Sequence, residues 1–121
     1  MVLVVEDEWE ILDIVRDILE ADGFVVRTAG HGRAALTALE REPRVDLVLT
    51  DLMMPVMDGF ELVRSMSLHE RFSKIPVVVM TAAAPDAAGL RELNVDRVLR
   101  KPLRVESLLD EVRRTTRPAV S

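Results

Sequence analysis

The stretch Leu47-Val48-Leu49-Thr50-Asp51-Leu52-Met53-Met54-Pro55, "LVLTDLMMP", places a carboxylate at the end of an apolar run and follows it with more apolar side chains. A segment built only to turn the chain would more often use Gly, Asn or Ser there. Val45 to Thr50 reads as a strand, and Asp51 then falls just beyond it, either as a turn residue or as a group that carries chemistry.

Outward from this strand, strands and helices alternate. Upstream, Val2 to Val5 is a short β-branched-rich run suited to a strand covered on both faces. Residues 8–22 follow with Ile11, Leu12, Val15, Ile18 and Leu19 at helical spacing, and Gly23 stands where a helix would end. Phe24 to Thr28 predicts a second strand, and residues 31–42 a helix with Ala35, Leu36 and Leu39 inward, closed by Pro43. Downstream, Asp58 can cap a helix carrying Phe60, Leu62, Val63 and Met66. Pro76 to Met80, "PVVVM", predicts a fourth strand, residues 86–93 a weaker helix, and Arg97 to Arg100 a fifth strand. Residues 104–115 predict a last helix with Val105, Leu108, Leu109 and Val112 inward. Five such units imply an α/β, doubly wound (βα)5 fold whose right-handed crossovers put helices on both faces of a parallel sheet.

The 121 residues suit one domain with a real core. Hydrophobic residues make up 49% and charged residues 31%, and no apolar stretch approaches the roughly 20 residues needed to span a bilayer. Val2 to Val5 is cut off at once by Glu6 and Asp7, which is no signal-peptide pattern, so a cytoplasmic location is expected. The absence of cysteine excludes disulfides and thiolate metal sites. A net charge of -5 with no Lys/Arg block argues against nucleic acid or an anionic membrane as a direct partner.

In open α/β sheets, ligands bind beyond the carboxyl ends of the strands, at the switch in strand order. Four of the five predicted strands deliver a polar residue there: Glu6 and Asp7, then Asp51, Thr81 and Lys101. Singly, Asp51 could be a turn residue, Thr81 a cap and Lys101 a solvated charge; their joint placement is what points to a site. Carboxylates about 5 Å apart at an effective dielectric of about 20 repel by about 3 kcal/mol per pair. Lys101 offsets part of that, and an all-oxygen acidic set without His or Cys favours Mg²⁺ for the rest. Such a site suits phosphoryl transfer, with Asp51 as a nucleophile able to form an acyl phosphate and Thr81 donating its hydroxyl to a phosphoryl oxygen.

The segments "VLVVEDE", "VDLVLTDLMMPVMDGFEL", "IPVVVMTA" and "LRKPL" occur in this order between Val2 and Leu103. Together they resemble the receiver domain of two-component response regulators, a flavodoxin-like fold with strand order 2-1-3-4-5. The resemblance implies that Asp7 ligates Mg²⁺ directly and Glu6 through water, with Asp51 and the backbone carbonyl of Met53 completing the metal shell. It implies that Asp51 accepts phosphoryl from the phosphohistidine of a histidine kinase or histidine phosphotransfer protein, with Thr81 as the switch hydroxyl and Lys101 as the phosphate-binding cation. Such a domain takes part in its own phosphorylation and slow autodephosphorylation without being an enzyme on other substrates, and it can pair as a homodimer. Pro55 and Gly59 fit as turn residues, Gly59 allowing a tight entry into the following helix.

The departures lie away from the chemistry. Val98 stands three residues before Lys101, where family members often carry an aromatic, and Asn94-Val95 replaces a common Gly-Ala. Val98 is too small for an aromatic lever, so output is expected to run through residues 85–93, a short Ala-rich stretch containing Gly89. Among rival classes, an aspartate-nucleophile phosphohydrolase would want an acid at position 53, where Met stands. A flavin carrier would want a Ser/Thr/Gly-rich loop after the first strand, and a degenerate receiver that binds partners without phosphorylation would have lost site residues this chain keeps. The domain is expected to span 1–116, with 117–121 as a tail or the start of a linker, and the sequence as either a stand-alone receiver or a piece of a longer chain.

Overall fold

The computed structural model describes residues 1–54, 56–82 and 95–116. Five parallel strands form one sheet: β1 (Val2–Val5), β2 (Val26–Ala29), β3 (Leu47–Asp51), β4 (Val77–Thr81) and β5 (Arg97–Arg100), in the order β2-β1-β3-β4-β5. The described α-helices are α1 (Trp9–Ala21), α2 (Gly32–Arg41), α3 (Gly59–Ser67) and α4 (Val105–Thr116), with a short 3₁₀ turn at Phe72–Lys74. The helix expected over 86–93, the stretch proposed to carry output, Pro55 and the tail lie outside the described residues.

Every residue of β1, β3 and β4 is buried, which is why these strands read as apolar runs, broken only by the polar residues at the ends of β3 and β4, rather than as alternation. Period-2 geometry splits them into two cores. Leu3, Val5, Val48, Val77 and Val79 pack with Ala35 and Leu39 of α2 and with Leu62, Val63 and Met66 of α3. Val2, Val4, Leu47, Leu49, Val78 and Met80 pack on the other face with Val15 and Leu19 of α1 and with Leu108 and Val112 of α4.

Several boundaries differ from the sequence expectation. Gly23 ends α1 at a φ of +96°, with Phe24 N–H donating to the Leu19 carbonyl (3.1 Å) and Gly23 N–H to that of Glu20 (3.0 Å). This cap uses Phe24, so β2 starts at Val26 rather than at Phe24 and runs to Ala29. β3 starts at Leu47, the register partner of Val2, and takes in Asp51 as its last residue. The helical spacing predicts Val105 inward, whereas it is 51% exposed as the first residue of α4, the buried face of which begins at Leu108. Asp58 does cap α3, accepting from Glu61 N–H at 2.9 Å.

Candidate functional site

The register of the sheet dictates which side chains meet. Val5 pairs with Thr50, so the next residues, Glu6 and Asp51, leave adjacent strands side by side at the carboxyl edge. Asp51 pairs with Met80, and Thr81 follows at the end of β4. Thr81 in turn pairs with Arg100, and its carbonyl accepts from Lys101 N–H at 2.9 Å. Four strand ends thus deliver Glu6, Asp7, Asp51, Thr81 and Lys101 to one edge, as the sequence predicted.

Glu6 and Thr81 are fully buried, Asp51 nearly so, and Asp7 is exposed. Lys101 Nζ donates to Glu6 Oε1 at 2.6 Å and to Asp51 Oδ2 at 3.2 Å, bridging the two buried acids. Asp51 Oδ1 faces the Met53 N–H at 3.4 Å. Burial is the main force on Glu6 and pushes its carboxyl up to about 7; the Lys101 bond opposes this, and the neighbouring Asp51 adds to the rise. Burial also disfavours the Lys101 ammonium, but the bond to Glu6 and the charge of Asp51 outweigh it and hold its pKa above the usual value.

Glu6, Asp7 and Asp51 each offer a carboxylate oxygen within 4.8 Å of the others. Three acids against one ammonium leave the cluster short of positive charge. The donor set, all oxygen and with no His or Cys, has the chemistry of a hard divalent cation site. The Met53 thioether is too soft a ligand for such a cation, so any part Met53 takes in a metal shell falls to its backbone carbonyl.

Two features of the segment after β3 go beyond what its sequence pattern conveys. A Cβ at Gly59 would lie 2.3 Å from the Asp51 carbonyl oxygen, and Gly59 N–H donates to the Leu52 carbonyl at 2.9 Å. Gly59 is therefore needed for close approach to the end of β3 rather than for its turn. Val56 holds a φ of +70°, a left-handed conformation that costs a β-branched residue on the order of 1–2 kcal/mol. Nothing in the local sequence announces it, since Val disfavours that region.

The family model for the response regulator receiver domain matches residues 2–113. The chain belongs to that family. It is 34% identical over 121 residues to the transcriptional regulatory protein GltR of Pseudomonas aeruginosa, covering 98% of this chain and 49% of that protein. The chain thus spans about half the length of the curated relatives it matches. Among solved structures it is similar to the chemotaxis response regulator CheY4 of Vibrio cholerae, with a TM-score of 0.87 and 31% identity over 94% of this chain and 96% of that one. It is also similar to the receiver domain of sensor histidine kinase PA1611 from Pseudomonas aeruginosa, which has a magnesium ion coordinated in its active-site cleft. That match has a TM-score of 0.87 and 26% identity, over 95% of each chain. The flavodoxin-like receiver fold and the two-component class are therefore those read from the sequence. Among the described residues no helix is long and apolar enough to cross a membrane.

Proposed function

We propose that this receiver accepts a phosphoryl group on Asp51 from the phosphohistidine of a histidine kinase or a histidine phosphotransfer protein. The observation that carries the reading is the Lys101 ammonium held between Glu6 and Asp51, beside three carboxylates gathered at one sheet edge. In the transfer, an Asp51 carboxylate oxygen forms a bond to phosphorus as the phosphorus–nitrogen bond to the donor imidazole breaks; the electron pair and a proton end on the imidazole, and Asp51 becomes an acyl phosphate. Lys101 neutralises phosphoryl charge from one side, and Thr81, at the end of the adjoining strand, supplies a hydroxyl for a phosphoryl oxygen.

Glu6, Asp7 and Asp51, with the Met53 carbonyl, fit Mg²⁺, since that ion prefers a few carboxylate oxygens and keeps its remaining sites for water and phosphate. When bound it would supply the charge neutralisation that one Lys cannot. Asp7, the exposed member, is suited to direct ligation, and Glu6, already held by Lys101, to a role through water. Water attacking the acyl phosphate would return Asp51 to its free state, which is a slow autodephosphorylation and not turnover of an outside substrate. The family match to residue 113 and the end of α4 at Thr116 support a domain of 1–116.

The test is incubation with a small acyl phosphate, with and without Mg²⁺, followed by intact-mass spectrometry. Wild type should gain one phosphoryl group only with Mg²⁺, and Asp51→Asn none. Uptake by Asp51→Asn at the wild-type rate would refute the assignment, and no uptake by wild type would point to a phosphorylation-independent receiver.

A further inference from the structure

We propose that Gly32, the first residue of α2, is a positioning residue for the phosphoacceptor site, acting through Met57 on the loop that carries Met53 beside Asp51. Gly32 is buried, and its N–H donates to the Met57 carbonyl at 3.0 Å. A Cβ there would lie 2.6 Å from Met57 Cγ, 2.7 Å from its carbonyl oxygen and 3.0 Å from its Cβ. Only the first of these atoms belongs to the flexible part of the side chain; the other two move with the backbone. Gly32 is not in the left-handed region, so what the position requires is space and not conformational freedom.

The described residues between β3 and α3, 52–54 and 56–58, are consequently held at both ends by glycine. At its far end Gly59 lies against the Asp51 carbonyl and bonds Leu52; between the two anchors Val56 sits at a φ of +70°. A β-branched residue stays in that conformation only when its surroundings over-determine it. Val56 is itself exposed and has little to hold it, whereas the next residue, Met57, is seated on Gly32. The seat on α2 is thus the contact that fixes Met57, and Met53, whose N–H faces Asp51 Oδ1, lies four residues before it on the same connection. Filling the seat must push Met57 back by about 0.7 Å, the gap between its carbonyl's 2.7 Å and the 3.4 Å of ordinary contact. Site geometry tolerates only about 0.5 Å, and misplacement by about 1 Å costs on the order of 100-fold in rate.

The inference rests on the reading of Asp51 as the phosphoacceptor, and the experiment separates the two. Four proteins are compared: wild type, Gly32→Ala, Met57→Ala and Gly30→Ala, whose new Cβ would meet nothing within 4 Å. Thermal midpoint, Mg²⁺ affinity by calorimetry and the rate of phosphoryl uptake from an acyl phosphate at saturating Mg²⁺ are measured on each. Alanine ordinarily favours a helix over glycine, so a loss in Gly32→Ala would run against propensity. Gly32→Ala is expected to stay folded, to bind Mg²⁺ less tightly and to slow uptake by roughly tenfold, Met57→Ala to change both in the same direction, and Gly30→Ala to match wild type. A folded Gly32→Ala with Mg²⁺ affinity and rate within about twofold of wild type, whatever its thermal midpoint, overturns the inference. Should Gly32→Ala fail to fold, Met57→Ala decides: both losses in a folded protein support the inference, and wild-type values overturn it. A wild type that takes up no phosphoryl overturns the reading of Asp51 and the inference with it.

Discussion

Glu6 is buried and its carboxyl is pushed up to about 7, against an ordinary value of 4.5. Because the folded value is the higher one, the metal-free folded protein holds a proton that the unfolded chain has already released. The stabilisation linked to that proton is fully present below about 4.5 and is lost as pH rises through about 7. A difference of 7 − 4.5 = 2.5 units, at about 1.4 kcal/mol each, amounts to about 3–4 kcal/mol. Glu6→Gln keeps the shape and an oxygen facing Lys101 while removing the titration. Urea unfolding of both proteins in a chelator, from about pH 5 to about pH 8, reads the effect directly. Wild type should lose stability toward the alkaline end, and Glu6→Gln should be flatter and at least as stable there. Saturating Mg²⁺ should flatten the wild-type profile too, since a cation beside the cluster favours the charged carboxylate. Parallel profiles for the two metal-free proteins would refute this account of Glu6.

Gly59→Ala should be strongly destabilising, by roughly 1–3 kcal/mol or more, because the new Cβ meets the backbone of Asp51, and a urea midpoint checks it. Asp58→Ala removes the cap on Glu61 N–H and should lower stability by about 1 kcal/mol in the same assay. Leu49→Ala, in the fully buried centre of β3, should cost about 2–5 kcal/mol. Trp9 is 68% exposed and lies two residues from Asp7; its fluorescence should change on Mg²⁺ titration and more so with a phosphoryl mimic, and a flat signal alongside calorimetrically proven binding would refute that.

Much of this arrangement was legible in the chain. "VLVV" announced a strand covered on both faces, "LVLT" and "VVVM" announced two more strands, and the polar residue after each announced where the site lies. Gly23 and Asp58 marked helix ends because their chemistry is local. What escaped depends on contacts distant in sequence. That Glu6 is the nearer partner of Lys101 depends on a contact across 95 positions, the seat of Met57 on Gly32 joins the segment after β3 to the start of α2, and the exposure of Val105 goes with its place as the first residue of α4. Helical periodicity identifies a face but does not say where the underlying sheet stops, so the first residue of a helix is the one it most easily misplaces.

The complete burial of β1, β3 and β4 has a mechanical consequence. Asp51 and Glu6 stand at the ends of strands buried along their whole length, where local opening costs the most, so the proposed chemical centre should have no soft mode of its own. If Asp51 takes up phosphoryl as proposed, the sheet would serve as an anvil: it would take the chemical event without yielding and leave any displacement to what borders the centre on the outside.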